Sequence, residues 1–117
     1  MKIRLSPKHI RVRIDRIEAM QWLNGTALQL QIAWPQNPIQ FTLKSHPSSN
    51  WELSSNSSNT WIISVPQQSI EHWLESEDER IQWNEKEFNI SIEKDYPCEH
   101  KLSADDRTFT RPHDTAR

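Results

Sequence analysis

The sequence predicts an α+β domain: a mostly antiparallel sheet of about six or seven strands with two short helices packed to one side. The stretch Ile10-Arg11-Val12-Arg13-Ile14, echoed by Lys2-Ile3-Arg4-Leu5, alternates strictly between apolar and cationic residues, which specifies strand with one apolar and one basic face. Further short alternating or β-branched runs follow, separated by Pro, Ser and Asn clusters. Two segments, after Asp15 and after Pro66, instead place apolar residues at helical spacing. A chain of 117 residues is enough for one modest core. Residues 1–100 therefore read as a single domain and 101–117, with only Leu102 and Phe109 as large apolar groups, as a loosely ordered tail.

The elements follow in order. Lys2 to Leu5 and His9 to Ile14 read as one strand interrupted near Ser6-Pro7 or two strands joined there, because Pro7 has no amide proton for a ladder. Asp15 and Glu18 have the spacing of a capping box, and Arg16 to Leu23 reads as a helix with Ile17, Met20 and Leu23 as its buried stripe. Gly25, the one glycine of the chain, suits a left-handed cap, with an Asn-Gly hairpin turn as the competing use. Ala27 to Trp34 and Ile39 to Leu43 should form a hairpin, Trp51 to Leu53 a short strand, and Ser54 to Asn59 a polar loop. Thr60 to Val65 is continuously apolar or β-branched and reads as a central strand with Trp61 in the core. Gln67 to Glu75 shows Ile70, Trp73 and Leu74 on one helical face, and Ile81 to Trp83 with Phe88 to Ile92 reads as a last hairpin.

Hydrophobic residues make up 34% of the chain, so the core must draw on its six tryptophans and three phenylalanines for buried area. The tryptophans fall about one to each expected element; Trp34, beside Pro35, and Trp51, after a Ser-rich turn, are the expected exposed exceptions. A single Cys excludes an internal disulfide and, with no apolar h-region after the basic start, points to a cytoplasmic setting. No apolar run is long enough to span a bilayer.

The opening Met1-Lys2-Ile3-Arg4, the Ile10–Ile14 strand, the Val65-Pro66 lead into a helix holding Trp73, and Glu93-Lys94-Asp95-Tyr96-Pro97-Cys98 resemble a group of small bacterial proteins of unknown function. Those proteins begin with a similar basic alternating strand and close with a Glu-Lys-Asp-aromatic-x-Cys segment. The resemblance spans roughly residues 1–100 and implies a bacterial origin and a shared fold, with no mechanism attached. It ends at the tail, where Arg107, Arg111 and Arg117 dilute the acidity found in such relatives.

The net charge of −2 hides an asymmetry: residues 1–48 carry seven Lys or Arg against two acids, residues 49–117 seven against fourteen. Pairing of basic with acidic strands is the expected use of this pattern. Arg4, Arg11 and Arg13, with Lys2 on the same side and Arg16 nearby, form the candidate site, an Arg face suited to an acidic group. As outward strand positions, Arg11 and Arg13 should accept Gln without loss of the fold. A pI near 6.2 argues against a nucleic-acid binder. Asp95, Cys98 and His100, with His113 beyond, offer too few prearranged ligands for a metal centre or an activated thiol, so no metal, catalytic residue or cofactor is implied. The expected function is that of a small interaction or accessory protein binding a protein partner or itself, as a homodimer. The alternative is a binding protein for an anionic small ligand through the Arg face, with a metal or thiol site at Cys98 behind both.

Overall fold

Eight strands and two helices follow one another in a computed structural model that describes residues 1–96 and Phe109. They are β1 (Lys2–Ser6), β2 (His9–Ile14), α1 (Arg16–Leu23), β3 (Leu28–Ile32), β4 (Ile39–His46), β5 (Glu52–Ser55), β6 (Thr60–Pro66), α2 (Gln67–Glu75), β7 (Arg80–Glu85) and β8 (Phe88–Lys94). The chain is α+β, as its patterning predicts. The strands, however, form two four-stranded sheets, β1-β2-β8-β7 and β3-β4-β6-β5. Both are mixed: β2 lies parallel to β8 and β4 parallel to β6, while every hairpin pair is antiparallel. The expectation of one mostly antiparallel sheet is corrected accordingly. Hairpins are announced locally by alternation around a turn, whereas a parallel partner far along the chain leaves no local trace.

The chain divides into two compact units, Met1–Ala19 with the chain from Trp73 onward, and Met20–His72, so each unit holds one sheet. In the first unit the apolar residues of β2 and β8, Val12, Ile14, Ile90 and Ile92, are fully buried, as are Ala19 and Trp73. In the second, Leu28, Phe41, Leu43, Ile63, Val65, Ile70 and Trp22 are buried.

The two sheets are built on one plan. Hairpin, helix, hairpin runs from β1 to β4 and again from β5 to β8. Each sheet combines the leading hairpin of one repeat with the closing hairpin of the other, joined by the parallel pair. The registers match row for row: Ile3, Val12, Ile92 and Ile81 lie side by side in one sheet, and Leu53, Ile63, Leu43 and Leu28 in the other. Between β2–α1 and β6–α2, Val12, Ile14, Ala19, Trp22 and Leu23 correspond to Ile63, Val65, Ile70, Trp73 and Leu74.

Local chemistry fixes the helix ends. The Asp15 amide donates to Glu18 Oε1 at 3.0 Å and the Glu18 amide to Asp15 Oδ1 at 2.8 Å, the reciprocal capping box expected from the spacing. At the other end the Thr26 amide donates to the Gln21 carbonyl and the Gly25 amide to that of Trp22. Gly25 has φ +95°. This is a Schellman cap, which requires the left-handed conformation at that residue. Open space surrounds a Cβ built on Gly25, so Gly25→Ala should lower stability by backbone strain alone, about 1 kcal/mol, read from the denaturant midpoint. Gln67 Nε2 donates to the Leu23 carbonyl at 3.0 Å and so satisfies an orphan acceptor at the end of α1.

Two packing expectations are overturned. In α1 the buried residues are Ala19 and Trp22, whereas Met20 is 48% exposed. The helix carries apolar residues on two sides, and burying the indole removes more area from water than burying the thioether. Trp61 is 41% exposed. It shares a face of β6 with the buried Ile63 and Val65 but sits near the strand start, paired with the exposed Ser55 of edge strand β5 on one side and the buried Phe41 on the other. Trp34 is 57% exposed, as expected, and Trp51 is intermediate. Phe109 donates its amide to the Asp95 carbonyl and places its ring 6.3 Å from that of Trp73.

Candidate functional site

The register of the first sheet sorts its residues onto two faces, since partners in a ladder point the same way. One face is apolar through Ile3, Val12, Ile92 and Ile81. The other carries Lys2, Arg13, Glu93 and Arg80 in one row, Arg4, Arg11, Ser91 and Gln82 in the next, and Ser6, His9, Asn89 and Asn84 in a third. Every residue of these rows is polar, and five are Lys or Arg. Alternation in β1 and β2 set four of these cations side by side as expected; Arg80 arrives from β7.

At the centre lies Glu93, 2% exposed. Arg11 donates Nε–H to its Oε2 at 3.0 Å and Nη2–H to its Oε1 at 3.1 Å, the bidentate fork that suits a carboxylate. Arg13 Nη2 stands 3.7 Å from Oε1. Ser91 Oγ donates to Oε2 at 3.2 Å, and His9 Nε2 lies 2.9 Å from the same hydroxyl. Burial on its own pushes the Glu93 carboxyl up, but the Arg11 hydrogen bonds and charge, with Arg80 and Ser91, outweigh it and hold the group below its ordinary range. Ser91 is fully buried, so its hydroxyl is held within this network.

Beside this network a pocket of about 160 Å³ opens between β1 and β2, lined by Lys2, Arg4, Arg11, Arg13 and Glu93 with Ile3 and Val12. It contains four cations and one carboxylate. Lys2 also reaches Asp95, at 3.8 Å, and Lys8 pairs with Glu87 at the hairpin turn, at 3.1 Å. Thus the basic start of the chain does pair with its acidic end, yet Arg4 has no ion pair or hydrogen bond of its side chain among the described residues. Arg16, at the first position of α1, lies outside the pocket lining. The sequence reading missed Glu93 and Arg80: both lie far along the chain from β2, and only the parallel β2–β8 ladder brings them in.

A family model described as a family of unknown function, DUF7009, matches residues 1–113. The chain belongs to that family. No curated protein and no solved structure matches it. Membership in DUF7009 agrees with the resemblance read from the basic opening strand and the Glu93–Cys98 segment, and it assigns no activity. No described helix of this DUF7009 member is long and apolar enough to cross a membrane. Among the described residues no group of three or more His, Cys, Asp or Glu is placed to hold a metal ion. Cys98, His100 and His113 lie outside the described residues.

A second surface comes from the other sheet. Leu53, Trp61 and Ile32, all exposed, share the face that carries the buried Phe41, Leu43 and Ile63. Such an apolar area is compatible with docking.

Proposed function

We propose that this DUF7009 member is a small non-catalytic accessory protein, cytoplasmic and of bacterial origin, which binds an acidic surface of a protein partner, or of a second copy of itself, through the cationic face of the first sheet. The observation that supports this reading is the pocket with four cations and one carboxylate, where Arg4 has no acidic partner among the described residues. A face that served only internal pairing would balance its charges more closely. The test is a titration with an acidic peptide rich in Glu and Asp at increasing salt. Affinity should fall steeply with ionic strength in the parent protein, and Arg4→Gln with Arg13→Gln should weaken binding and flatten that dependence. Salt-independent affinity, equal in parent and variant, would remove the face from consideration. The pocket also supports a second reading, in which the same cations hold a small anionic ligand.

A further inference from the structure

We propose that the pocket formed by Lys2, Arg4, Arg11 and Arg13 is a binding site for a phosphomonoester group, a tetrahedral dianion. This rests on the reading that the cationic face receives anions, and it names the anion.

The first ground is a cost that the fold does not need. Arg4 lies directly opposite Arg11, and Lys2 directly opposite Arg13. Like charges in directly opposed cross-strand positions repel and destabilise the pair. Here two such pairs adjoin, with one carboxylate inside the pocket to offset them.

The second ground is an internal control. The duplicated plan places Ser54 opposite Ile62 and Glu52 opposite Ser64 where the first sheet has Arg4 opposite Arg11 and Lys2 opposite Arg13. In the register of the parallel ladders Lys44 stands where Glu93 stands. The same framework is therefore built with no like-charge pair at these positions. The like-charge pairing is thus not a requirement of the framework, and its cost is offset when a ligand brings negative charge.

The third ground is the chemistry of the opening. Glu93 engages Arg11 through Nε and Nη2, which fixes the plane of the guanidinium and leaves Nη1 with its two protons for a further acceptor. Among the described residues the Arg4 side chain makes no hydrogen bond or ion pair, Arg13 makes the 3.7 Å approach to Glu93, and the Lys2 ammonium flanks them. With Glu93 subtracted, the lining carries three net positive charges. A phosphomonoester, with a charge of about −1.5 to −2 and three acceptor oxygens at neutral pH, matches forked, multiple donors better than a single carboxylate does. The pocket of about 160 Å³ has room for a tetrahedral oxyanion.

The phosphomonoester could be carried by a modified side chain or by a small metabolite, and the experiment separates the two. Amide resonances are followed by NMR at constant ionic strength while inorganic phosphate, glycerol phosphate, a phosphoserine peptide and its unmodified acidic counterpart are added in turn. Phosphate should bind saturably at one equivalent, shifting Lys2–Arg4 and Arg11–Arg13. Arg4→Gln removes the repulsion with Arg11, so it should keep or raise the parent melting temperature, and it should weaken phosphate binding by about tenfold or more. Arg13→Gln provides a second variant with the same expected loss of phosphate binding, and Lys44→Gln, at the matching position of the other sheet, should leave phosphate binding unchanged. Tighter binding of the phosphoserine peptide than of glycerol phosphate marks a protein-borne group, and the reverse marks a small ligand. Phosphate that binds no better than acetate, or equally well in Arg4→Gln, overturns the assignment. If the unmodified acidic peptide still binds and is lost in Arg4→Gln, only the phosphate assignment fails. If neither peptide nor phosphate binds, the cationic face fails as a site altogether.

Discussion

Trp73→Ala should cost about 3 to 5 kcal/mol, the range for truncating a buried aromatic side chain to alanine, and Trp61→Ala about 1 kcal/mol or less, as for a partly exposed strand position. Trp73 is fully buried, its ring packs near Phe109, and Lys94 Nζ lies 5.7 Å from its centroid. Removing it leaves a cavity in a core that close-packed neighbours fill only in part. Against a typical stability of about 5 to 15 kcal/mol for a small domain, that loss brings the protein close to unfolding. Trp61 makes a different case, because water already reaches much of the indole. Urea midpoints of the two variants decide the matter. Equal midpoints would mean that the two indoles do not differ in burial as described.

The second large effect concerns Arg11. Arg11→Gln should lower the melting temperature by several degrees at neutral pH, although the residue sits on an outward strand face. The change strips the fork from a carboxylate that stays buried, leaving it the Ser91 hydrogen bond and the longer approach of Arg13, and a buried charge that has lost its closest partner destabilises the fold. Glu93→Gln added to Arg11→Gln should recover much of the loss by removing that charge. The pH dependence has a definite sign. The folded Glu93 carboxyl ionises below its ordinary value of 4.5. Its stabilising contribution is therefore fully present above the unfolded value and disappears as pH falls through the lower folded one. The gap in melting temperature between the parent and Arg11→Gln should be widest at neutral pH and should narrow on acidification, when Glu93 is protonated in both. A gap that stays constant down to acid pH would show that Arg11 acts through packing alone.

These two cases also mark how far the sequence could be read. Alternation was enough to place Lys2, Arg4, Arg11 and Arg13 on one face, and Asp15, Glu18 and Gly25 declared the ends of α1, because period and capping are properties of neighbours in the chain. Glu93 falls just past the Phe88–Ile92 run of the last expected hairpin, and nothing near it in sequence says that β2 will lie alongside and cover it with arginine. Trp61 misled for the opposite reason: a run rich in β-branched residues marks an interior strand, which β6 is, but not how much of its length is covered. The duplication stayed hidden because its two copies share a Trp-Leu pair and an apolar pattern while differing at nearly every charged position.

The interleaving of the two repeats has a consequence for the order in which the sheets can assemble as the chain emerges from the ribosome. The parallel ladder β4–β6 closes between Gln40 and Thr60, whereas β2–β8 must join His9 to Asn89. The longer closure, two doublings of loop length, costs about 1.2 kcal/mol more in chain entropy, and its last strand is also the last to be made. The second sheet can therefore complete itself early from contiguous chain. The β1–β2 hairpin, which carries most of the cationic face, must wait with one edge unpaired, its arginines holding off chance strand partners until β8 arrives with Glu93.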